Sequence, residues 1–251
     1  MPKVLISDTM SSRAEEVFRE RGVEVDVVTE LDPAELEKII VNYDGLAVRS
    51  STKVTEKIIE AGNKLRVIGR AGIGVDNIDV GSASKKGIVV MNTPQGNSIT
   101  TAEHAIALLF ALARDIPQAN QSTHEGLWEK SKFMGVELYG KTLGVIGCGN
   151  IGSIVADRAI GLKMKVVSYD PFLSPEKATS LGVEKIEFDE LLQRSDFISL
   201  HTPMTDATKG IIDTKAISKM KDRVYIINCA RGGLVNEVDL KTAIDAGKVA
   251  G

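Results

Sequence analysis

The sequence predicts an α/β protein built from two doubly wound parallel sheets. Two observations lead to this class. Short apolar runs alternate with stretches of helical spacing along the 251 residues, which is typical of parallel sheets covered by helices. One run enters a glycine-rich turn, Gly147-Cys148-Gly149-Asn150-Ile151-Gly152, and a helical pattern leaves it. The length suffices for two domains, which we expect at residues 1–96 and 97–251.

The first half of the chain carries five apolar runs of strand length. Asp32 followed by Pro33 is typical of an N-cap and the first turn of a helix. The predicted strands are Val4–Ser7, Val23–Val28, Gly45–Val48, Leu65–Ile68 and Ile88–Asn92, and the predicted helices are Ala14–Arg21, Pro33–Val41, Thr55–Ala61 and Val80–Lys86.

The second half begins with a long apolar stretch, Ile99–Ala113, which predicts a helix largely buried between domains or against another subunit. Residues Asp115–Tyr139 are irregular, hold the only tryptophan, Trp128, and are expected to form an arm or a partly helical connection. A second alternating series follows. Its predicted strands are Thr142–Ile146, Lys165–Tyr169, a short one near Lys185–Phe188, Phe197–His201 and Val224–Asn228, and Asp239–Ala246 is predicted helical.

The glycine-rich turn has the spacing of a dinucleotide-binding fingerprint. Gly147 permits a tight turn, Gly149 lets the backbone approach a pyrophosphate, and Gly152 lets the helix pack against the strand. N–H groups at the start of the helix then face the phosphates. Asp170 ends the next strand, where its carboxylate can accept hydrogen bonds from ribose hydroxyls and repel a 2′-phosphate. The sequence therefore predicts NAD as the cofactor; a purely structural glycine turn is the alternative.

The composition excludes several classes of protein. The net charge is −3 and no basic run stands out, which argues against a nucleic-acid-binding surface. Cys148 and Cys229 lack the C-x-x-C spacing of a metal site, so no metal is expected. The longest apolar stretch, near Ala105–Ala113, is too short to cross a membrane. Met1–Asp8 has the pattern of a strand and not of a signal peptide, and we expect a cytoplasmic protein.

Arg231 follows the predicted strand Val224–Asn228, at the edge where ligands gather in open α/β sheets. Its guanidinium is planar and permanently charged, so it can hold a carboxylate and a developing alkoxide together. From position alone, a structural ion pair is an equally good interpretation.

A second group of candidate residues follows strands of the first half. Successive N–H groups of Gly72-Ile73-Gly74 can form an anion nest, although an ordinary turn is the alternative. Arg49 and Ser50 end the strand Gly45–Val48, and we expect Arg70 to lie near them. Positive charge beside a carboxylate nest suits a second anion such as a phosphate.

Stretches along the whole chain carry a resemblance to a known family. They are Val4–Asp8, Val48–Ser50, Gly69–Asn77, Met91–Ser98, Gly147–Gly152, His201–Pro203 and Asn228–Gly233. With them the chain resembles the NAD-dependent D-2-hydroxyacid dehydrogenases. Arg70–Asn77 and Phe133–Gly135 are most similar to the phosphoglycerate branch of that family.

The resemblance implies a flavodoxin-like substrate domain at residues 1–96 and a Rossmann NAD-binding domain at residues 97–251, with the active site in the cleft between them. It implies NAD-dependent oxidation of 3-phospho-D-glycerate to 3-phosphohydroxypyruvate, the first step of serine biosynthesis. The implied partner is thus a small phosphorylated hydroxy acid, with no nucleic acid and no membrane. Residues 99–139 match the segment through which family members form homodimers or homotetramers.

The resemblance also assigns roles to single residues. Arg231 is the catalytic arginine and Asn97 helps to position the substrate near the hinge. The further residues implied to contact the cofactor are Asn150 and Ile151, which offer N–H groups to the pyrophosphate, Thr202 and Pro203, and Cys229, Ala230 and Arg231 near the nicotinamide.

The chain departs from the family pattern at its C-terminal end. In the family, a glutamate and a histidine follow a strand like Val249–Gly251, and that histidine is the general acid/base. Neither follows here, so we expect this sequence to be part of a longer enzyme, with weak NAD binding and little turnover by itself. His104 is expected to be a core or interface residue and His124 to be solvated. His201 is expected near the cofactor without carrying the proton.

Two alternatives stay open from the sequence. One is a glyoxylate or hydroxypyruvate reductase of the same family; the positive charge of Arg49 favours a phosphorylated substrate instead. The other is a non-enzymatic NAD-sensing binder, similar to the C-terminal-binding corepressors that share the fold. Such a binder needs a peptide groove on the first domain, and nothing in the sequence marks one.

Overall fold

The structure is a computed structural model that describes all 251 residues. The chain divides into two compact units, Met1–Asn97 and Ser98–Gly251. Each unit contains one five-stranded parallel sheet, which confirms the predicted α/β class. None of the eleven α-helices combines the length and apolar character that a membrane crossing requires.

The sheet of the first unit has the strand order β2-β1-β3-β4-β5. The order reverses between β1 and β3, and a reversal of this kind leaves a crevice at the carboxyl ends of the strands. The strands are β1 (Lys3–Ile6), β2 (Glu24–Val27), β3 (Gly45–Val48), β4 (Val67–Arg70) and β5 (Val89–Asn92), and the helices are α1 (Ser12–Glu20), α2 (Pro33–Ile39), α3 (Glu56–Ala61) and α4 (Val80–Lys85). A 3₁₀ turn, Ile40–Asn42, extends α2.

Local sequence explains where α2 starts. The Asp32 carboxylate accepts a hydrogen bond from the Glu35 N–H at 2.8 Å, and the Glu35 carboxylate accepts one from the Asp32 N–H at 3.1 Å. This capping box satisfies two N–H groups that a helix end otherwise leaves unpaired, so the predicted start at Pro33 is confirmed. The core beneath the helix is formed by fully buried Leu5, Leu46 and Ile68.

The sheet of the second unit has the order β10-β9-β6-β7-β8, with the reversal between β6 and β9. Its strands are β6 (Thr142–Ile146), β7 (Lys165–Tyr169), β8 (Glu184–Lys185), β9 (Phe197–Leu200) and β10 (Tyr225–Asn228), and its helices are α5 (Ser98–Ala113), α6 (Ile116–His124), α7 (Asn150–Gly161), α8 (Pro175–Leu181), α9 (Phe188–Arg194), α10 (Thr214–Lys219) and α11 (Glu237–Asp245). Val249, where a strand was expected to begin, forms a single parallel bridge with Val224.

The prediction of a strand near Lys185–Phe188 is mostly wrong. Strand β8 covers only Glu184–Lys185, and Phe188 begins α9. Leu191 and Leu192 lie three and four positions after Phe188 and are fully buried, which is a helical spacing. Helices α8 and α10 were not predicted, although Ser174 and Asp213 cap them with side-chain hydrogen bonds to the backbone.

Within this chain, helix α5 is buried along one stripe. Ala102, Ala105 and Leu109 form its buried stripe within the second unit, whereas Ile99 on another face is 58% exposed. The following arm contains α6 and a 3₁₀ turn at Lys130–Lys132, and Trp128 in it is 82% exposed. Apolar side chains thus remain in contact with solvent along the segment that was expected to make a subunit contact.

Candidate active site

The glycine-rich turn between β6 and α7 has the backbone geometry that its sequence predicts. Gly147 has φ +87°, a conformation that favours glycine. A Cβ atom there would lie 2.9 Å from the carbonyl carbon and oxygen of His201, so a side chain would collide with the neighbouring loop. A Cβ atom on Gly152 would collide with the carbonyl oxygen of Gly147. The turn and the start of the helix therefore pack closely because both residues are glycines.

Gly149 faces open space. It is the N-cap of α7, it makes no side-chain capping bond, and a Cβ atom there would meet no atom within 4 Å. Asn150 and Ile151 begin the helix, whose N-terminus attracts anions through its N–H groups and dipole. The residues therefore fit a pyrophosphate that approaches the backbone at Gly149.

Asp170 lies at the carboxyl end of β7 and holds the glycine turn. One carboxylate oxygen accepts a hydrogen bond from the Cys148 N–H at 2.8 Å, and the other accepts one from the Phe172 N–H at 2.8 Å. Burial and the nearby Asp170 charge raise the pKa of the Cys148 thiol, while a hydrogen bond with Ser168 opposes that rise. The thiol is therefore protonated at neutral pH and is not a nucleophile.

The loop after β9 borders the same turn. The His201 imidazole Nε2 lies 2.8 Å from the Ser199 hydroxyl, while its Nδ1 is buried without a hydrogen-bond partner. Burial lowers the pKa of His201 to about 4, so the ring is neutral near pH 7. Thr202 is half-buried beside Gly147, and the carbonyl of Pro203 accepts a hydrogen bond from the Thr208 hydroxyl at 2.6 Å.

Arg231 follows β10 in a turn shaped by Asn228. The Asn228 side chain accepts a hydrogen bond from the Ala230 N–H at 3.0 Å and donates one to the Arg231 carbonyl at 2.8 Å. The Arg231 guanidinium donates to the Ala230 carbonyl at 2.8 Å. Asn228, which sequence reasoning treated only as the end of a strand, therefore fixes the backbone that carries Arg231.

Cys229 lies in the same turn, directly before Ala230. Burial raises the pKa of its thiol.

The first unit has a cleft of about 530 Å³ at the carboxyl edge of its sheet. Three predicted substrate-binding residues, Arg49, Gly72 and Asn97, line it together with residues that begin α1. The cleft lies where the strand order reverses between β1 and β3, the usual place for a ligand in such a sheet. Sequence reasoning placed Arg49 and Gly72 at the ends of separate strands and Asn97 near the hinge, and the topology brings all three to one cavity.

Gly72-Ile73-Gly74 forms only part of the expected anion nest. The Gly72 N–H donates to the Arg70 carbonyl at 3.0 Å, so it is not available to a ligand. The N–H groups of Ile73 and Gly74 have no acceptor within the protein. The Asn92 side chain donates to the Ile73 carbonyl at 2.5 Å and so helps to fix the turn.

Arg70 lies near Arg49 and Ser50, as expected, but its guanidinium is taken up by partners within the protein. Its side chain is only 9% exposed. It donates to the carbonyls of Arg49 and Gly74 and to the Ser50 hydroxyl, and it pairs with the Asp76 carboxylate at 3.4 Å. Four partners within the protein give Arg70 a structural position, which joins the loops after β3 and β4. Because its hydroxyl accepts the Arg70 hydrogen bond at 3.2 Å, Ser50 also takes part in this link between the two loops.

Sequence reasoning missed two residues that hold the loop after β3 in place from outside the cleft. Asp8, at the end of β1, is 4% exposed and accepts hydrogen bonds from the N–H groups of Arg49 and Thr52. Asn77 donates to the carbonyls of the same two residues, at 2.8 and 2.6 Å. A buried carboxylate directly after a strand was the available signal for Asp8. No three His, Cys, Asp or Glu side chains are placed to hold a metal ion.

Comparisons with known proteins agree with this geometry. Residues 106–251 match the family model of the D-isomer specific 2-hydroxyacid dehydrogenase NAD binding domain. Curated relatives named D-3-phosphoglycerate dehydrogenase are 51% identical in Archaeoglobus fulgidus and 45% identical in Homo sapiens, over 99% of this chain and 47% of each relative. This chain thus spans about half the length of the curated relatives it matches.

Solved structures support the same assignment. D-lactate dehydrogenase from Aquifex aeolicus, complexed with NAD and lactic acid, has a TM-score of 0.90 and 31% identity, covering 99% of this chain and 75% of that one. A glyoxylate reductase from Paecilomyes thermophila has a TM-score of 0.90 and 31% identity, covering 99% and 79%. The chain belongs to the D-2-hydroxyacid dehydrogenase family, and its second unit contains that family's NAD-binding domain.

Proposed function

We propose that the full-length protein carries out the NAD-dependent oxidation of 3-phospho-D-glycerate to 3-phosphohydroxypyruvate in serine biosynthesis. The observation that carries this proposal is the cleft of the first unit. It is lined by Arg49 and by Gly72, the first residue of the turn whose next two N–H groups, those of Ile73 and Gly74, lack acceptors. A substrate with a carboxylate and a phosphate needs two anion-binding features, and this cleft offers both.

The proposed roles follow from the chemistry of each group. Ile73 and Gly74 would bind the substrate carboxylate, Arg49 the phosphate, and Asn97 would orient the substrate within the cleft. Arg231 would stabilise charge developing on the C2 oxygen, since its guanidinium stays protonated throughout. Arg70 and Ser50 would act by fixing the Arg49 loop. NAD, when bound, supplies the hydride acceptor.

For the cofactor we propose contacts with the glycine turn, Asn150, Ile151, Thr202, Pro203 and the Cys229–Arg231 turn. The Asp170 carboxylate retains lone pairs beyond its two backbone hydrogen bonds. It could thus also accept from ribose hydroxyls, and its charge would repel a 2′-phosphate.

We also propose a cytoplasmic homo-oligomer, either a dimer or a tetramer, that associates through residues 99–139. The support is the exposed apolar surface of this segment, which is unusual for a free surface. It includes Ile99, Leu127, Trp128, Met134 and Tyr139, all at least 47% exposed.

The test is NADH consumption by the full-length protein with 3-phosphohydroxypyruvate and, separately, with hydroxypyruvate. A strong preference for the phosphorylated compound is expected, and Arg49→Ala should remove most of it. Equal or reversed preference would instead indicate a general hydroxyacid or glyoxylate reductase. NAD binding without turnover of either compound would indicate a non-enzymatic binder.

A further inference from the structure

Arg49 makes hydrogen bonds within the protein through its backbone N–H, its backbone carbonyl and its guanidinium. Its N–H donates to the Asp8 carboxylate at 2.5 Å, and its carbonyl accepts from Arg70 Nε at 3.1 Å and from Asn77 Nδ2 at 2.8 Å. Its guanidinium Nη1 donates to the carbonyl of Thr9, the residue after Asp8, at 3.1 Å. The loop after β1 thus holds both the backbone and the side chain of Arg49.

Asp8 and Asn77 both bind the backbone of the loop Arg49–Thr52, Asp8 through N–H groups and Asn77 through carbonyls. Asp8 accepts from the N–H of Thr52 at 3.1 Å and from its hydroxyl at 2.8 Å, so one carboxylate fixes both ends of the loop. Asn77 donates to the carbonyls at both ends, while its Oδ1 is buried and has no partner. A buried amide oxygen without a partner is costly, and the two carbonyl acceptors dictate this orientation of the amide.

From these contacts we propose that Asp8 and Asn77 are specificity-determining positioning residues. They hold the Arg49 guanidinium over the cleft in advance, so that the phosphate of the substrate meets a charge already in place. The inference rests on the proposed function, since it concerns the discrimination between phosphorylated and unphosphorylated substrates. Neither residue is expected to contact the reacting atoms. Pre-placed groups gain affinity because less freedom is lost on binding.

The experiment compares kcat/KM for 3-phosphohydroxypyruvate with that for hydroxypyruvate in the full-length protein. Asp8→Ala and Asn77→Leu are each expected to lower this ratio by about tenfold, the effect of losing one well-placed interaction. The loss should appear in KM for the phosphorylated substrate. The kcat for hydroxypyruvate should not change. Asp8→Asn and Asn77→Ser keep part of the hydrogen bonding, so they should restore part of the ratio and remain folded if the larger changes do not.

Asp44→Ala is the matched control. Asp44 also accepts a backbone hydrogen bond across the sheet, from the Lys3 N–H at 2.8 Å, but at the opposite edge from the cleft. This variant should lose a similar amount of stability and keep the substrate ratio. Equal losses for both substrates in Asp8 and Asn77 variants, as for a purely structural role, would overturn the inference and leave the proposed function intact. A wild-type protein without preference would overturn both.

Discussion

The carboxylate of Asp170 accepts a hydrogen bond from the backbone N–H of Cys148 at 2.8 Å. Cys148 lies between the first two glycines of the fingerprint, so the end of β7 fixes the turn that follows β6. The same carboxylate also accepts from Phe172. The acid that the fingerprint associates with ribose recognition is therefore also part of the structure of the phosphate-binding turn.

Replacing Asp170 by Asn should weaken NAD binding more than NADP binding. The amide keeps one acceptor and replaces the other with a donor, which faces a backbone N–H and cannot pair with it. The charge that repels a 2′-phosphate is also lost. We expect the Kd for NAD to rise about tenfold or more, as for the loss of one charged hydrogen bond, with a smaller change for NADP. Calorimetric titration of the full-length protein measures both.

Asp157→Asn is the control for this change. Asp157 lies on α7, close in sequence to the turn, but its carboxylate is 68% exposed and pairs only with Arg158. Its replacement should leave both dissociation constants unchanged. Equal losses of NAD and NADP affinity in the Asp170 variant would mean that this carboxylate supports the turn without selecting the cofactor.

Two glycines of the same helix should respond oppositely to alanine. Gly152→Ala forces a Cβ atom into the carbonyl of Gly147, and the backbone must move, which we expect to cost about 3 kcal/mol of unfolding free energy. Gly161 lies at the other end of α7, and a Cβ atom there would meet no atom within 4 Å. Gly161→Ala should therefore raise the unfolding free energy by about 0.5 kcal/mol. Urea unfolding of both variants measures the difference; similar stabilities would show that the turn relaxes freely.

His201 should make the stability of the protein depend on pH between about 6.5 and 4. Burial lowers the folded-state pKa to about 4, so in this interval the unfolded state binds more protons and stability falls as pH falls. Above pH 6.5 the group contributes no pH dependence. The shift corresponds to about 3 kcal/mol.

The measurement is urea unfolding at pH 7 and at pH 5 for the wild type and for His201→Gln. Glutamine does not titrate and can still bond Ser199. The variant should therefore show a smaller loss of stability on acidification. The same loss in both proteins would mean that carboxylates, and not His201, dominate the acid response.

Much of the fold follows from local patterns in the sequence. β3, β6 and β7 have the predicted bounds, because each apolar run is bordered by polar or glycine residues. Helices α8 and α10 were missed because they are short, with seven and six residues and few buried side chains. At that length, packing and caps decide the structure more than periodicity does.

The site was predictable only where chemistry is carried by sequence spacing. The glycine fingerprint has a fixed spacing, so Gly147 and Gly152 could be assigned reasons that the structure confirms. The position of Arg70 near Arg49 and Ser50 was predicted, but the inward direction of its side chain was not, because a guanidinium at a strand end can turn outward or inward. Its four partners come from two loops, those after β3 and β4, and only the tertiary structure brings these two loops together.

A last prediction concerns the arm that follows α5. Gly135 has φ +60°, and a Cβ atom there would collide with the carbonyl of Ala113, the acceptor of the Val136 N–H at 2.7 Å. Gly135→Ala should therefore detach the arm from the end of α5 and raise hydrogen exchange of nearby amides. Gly126→Ala is the control, because Gly126 also has a positive φ, +78°, but a Cβ atom there would meet no atom within 4 Å. It should lose about 1 kcal/mol for the left-handed backbone alone and keep the arm protected. Equal exchange in the two variants would show that backbone conformation, and not this contact, holds the arm.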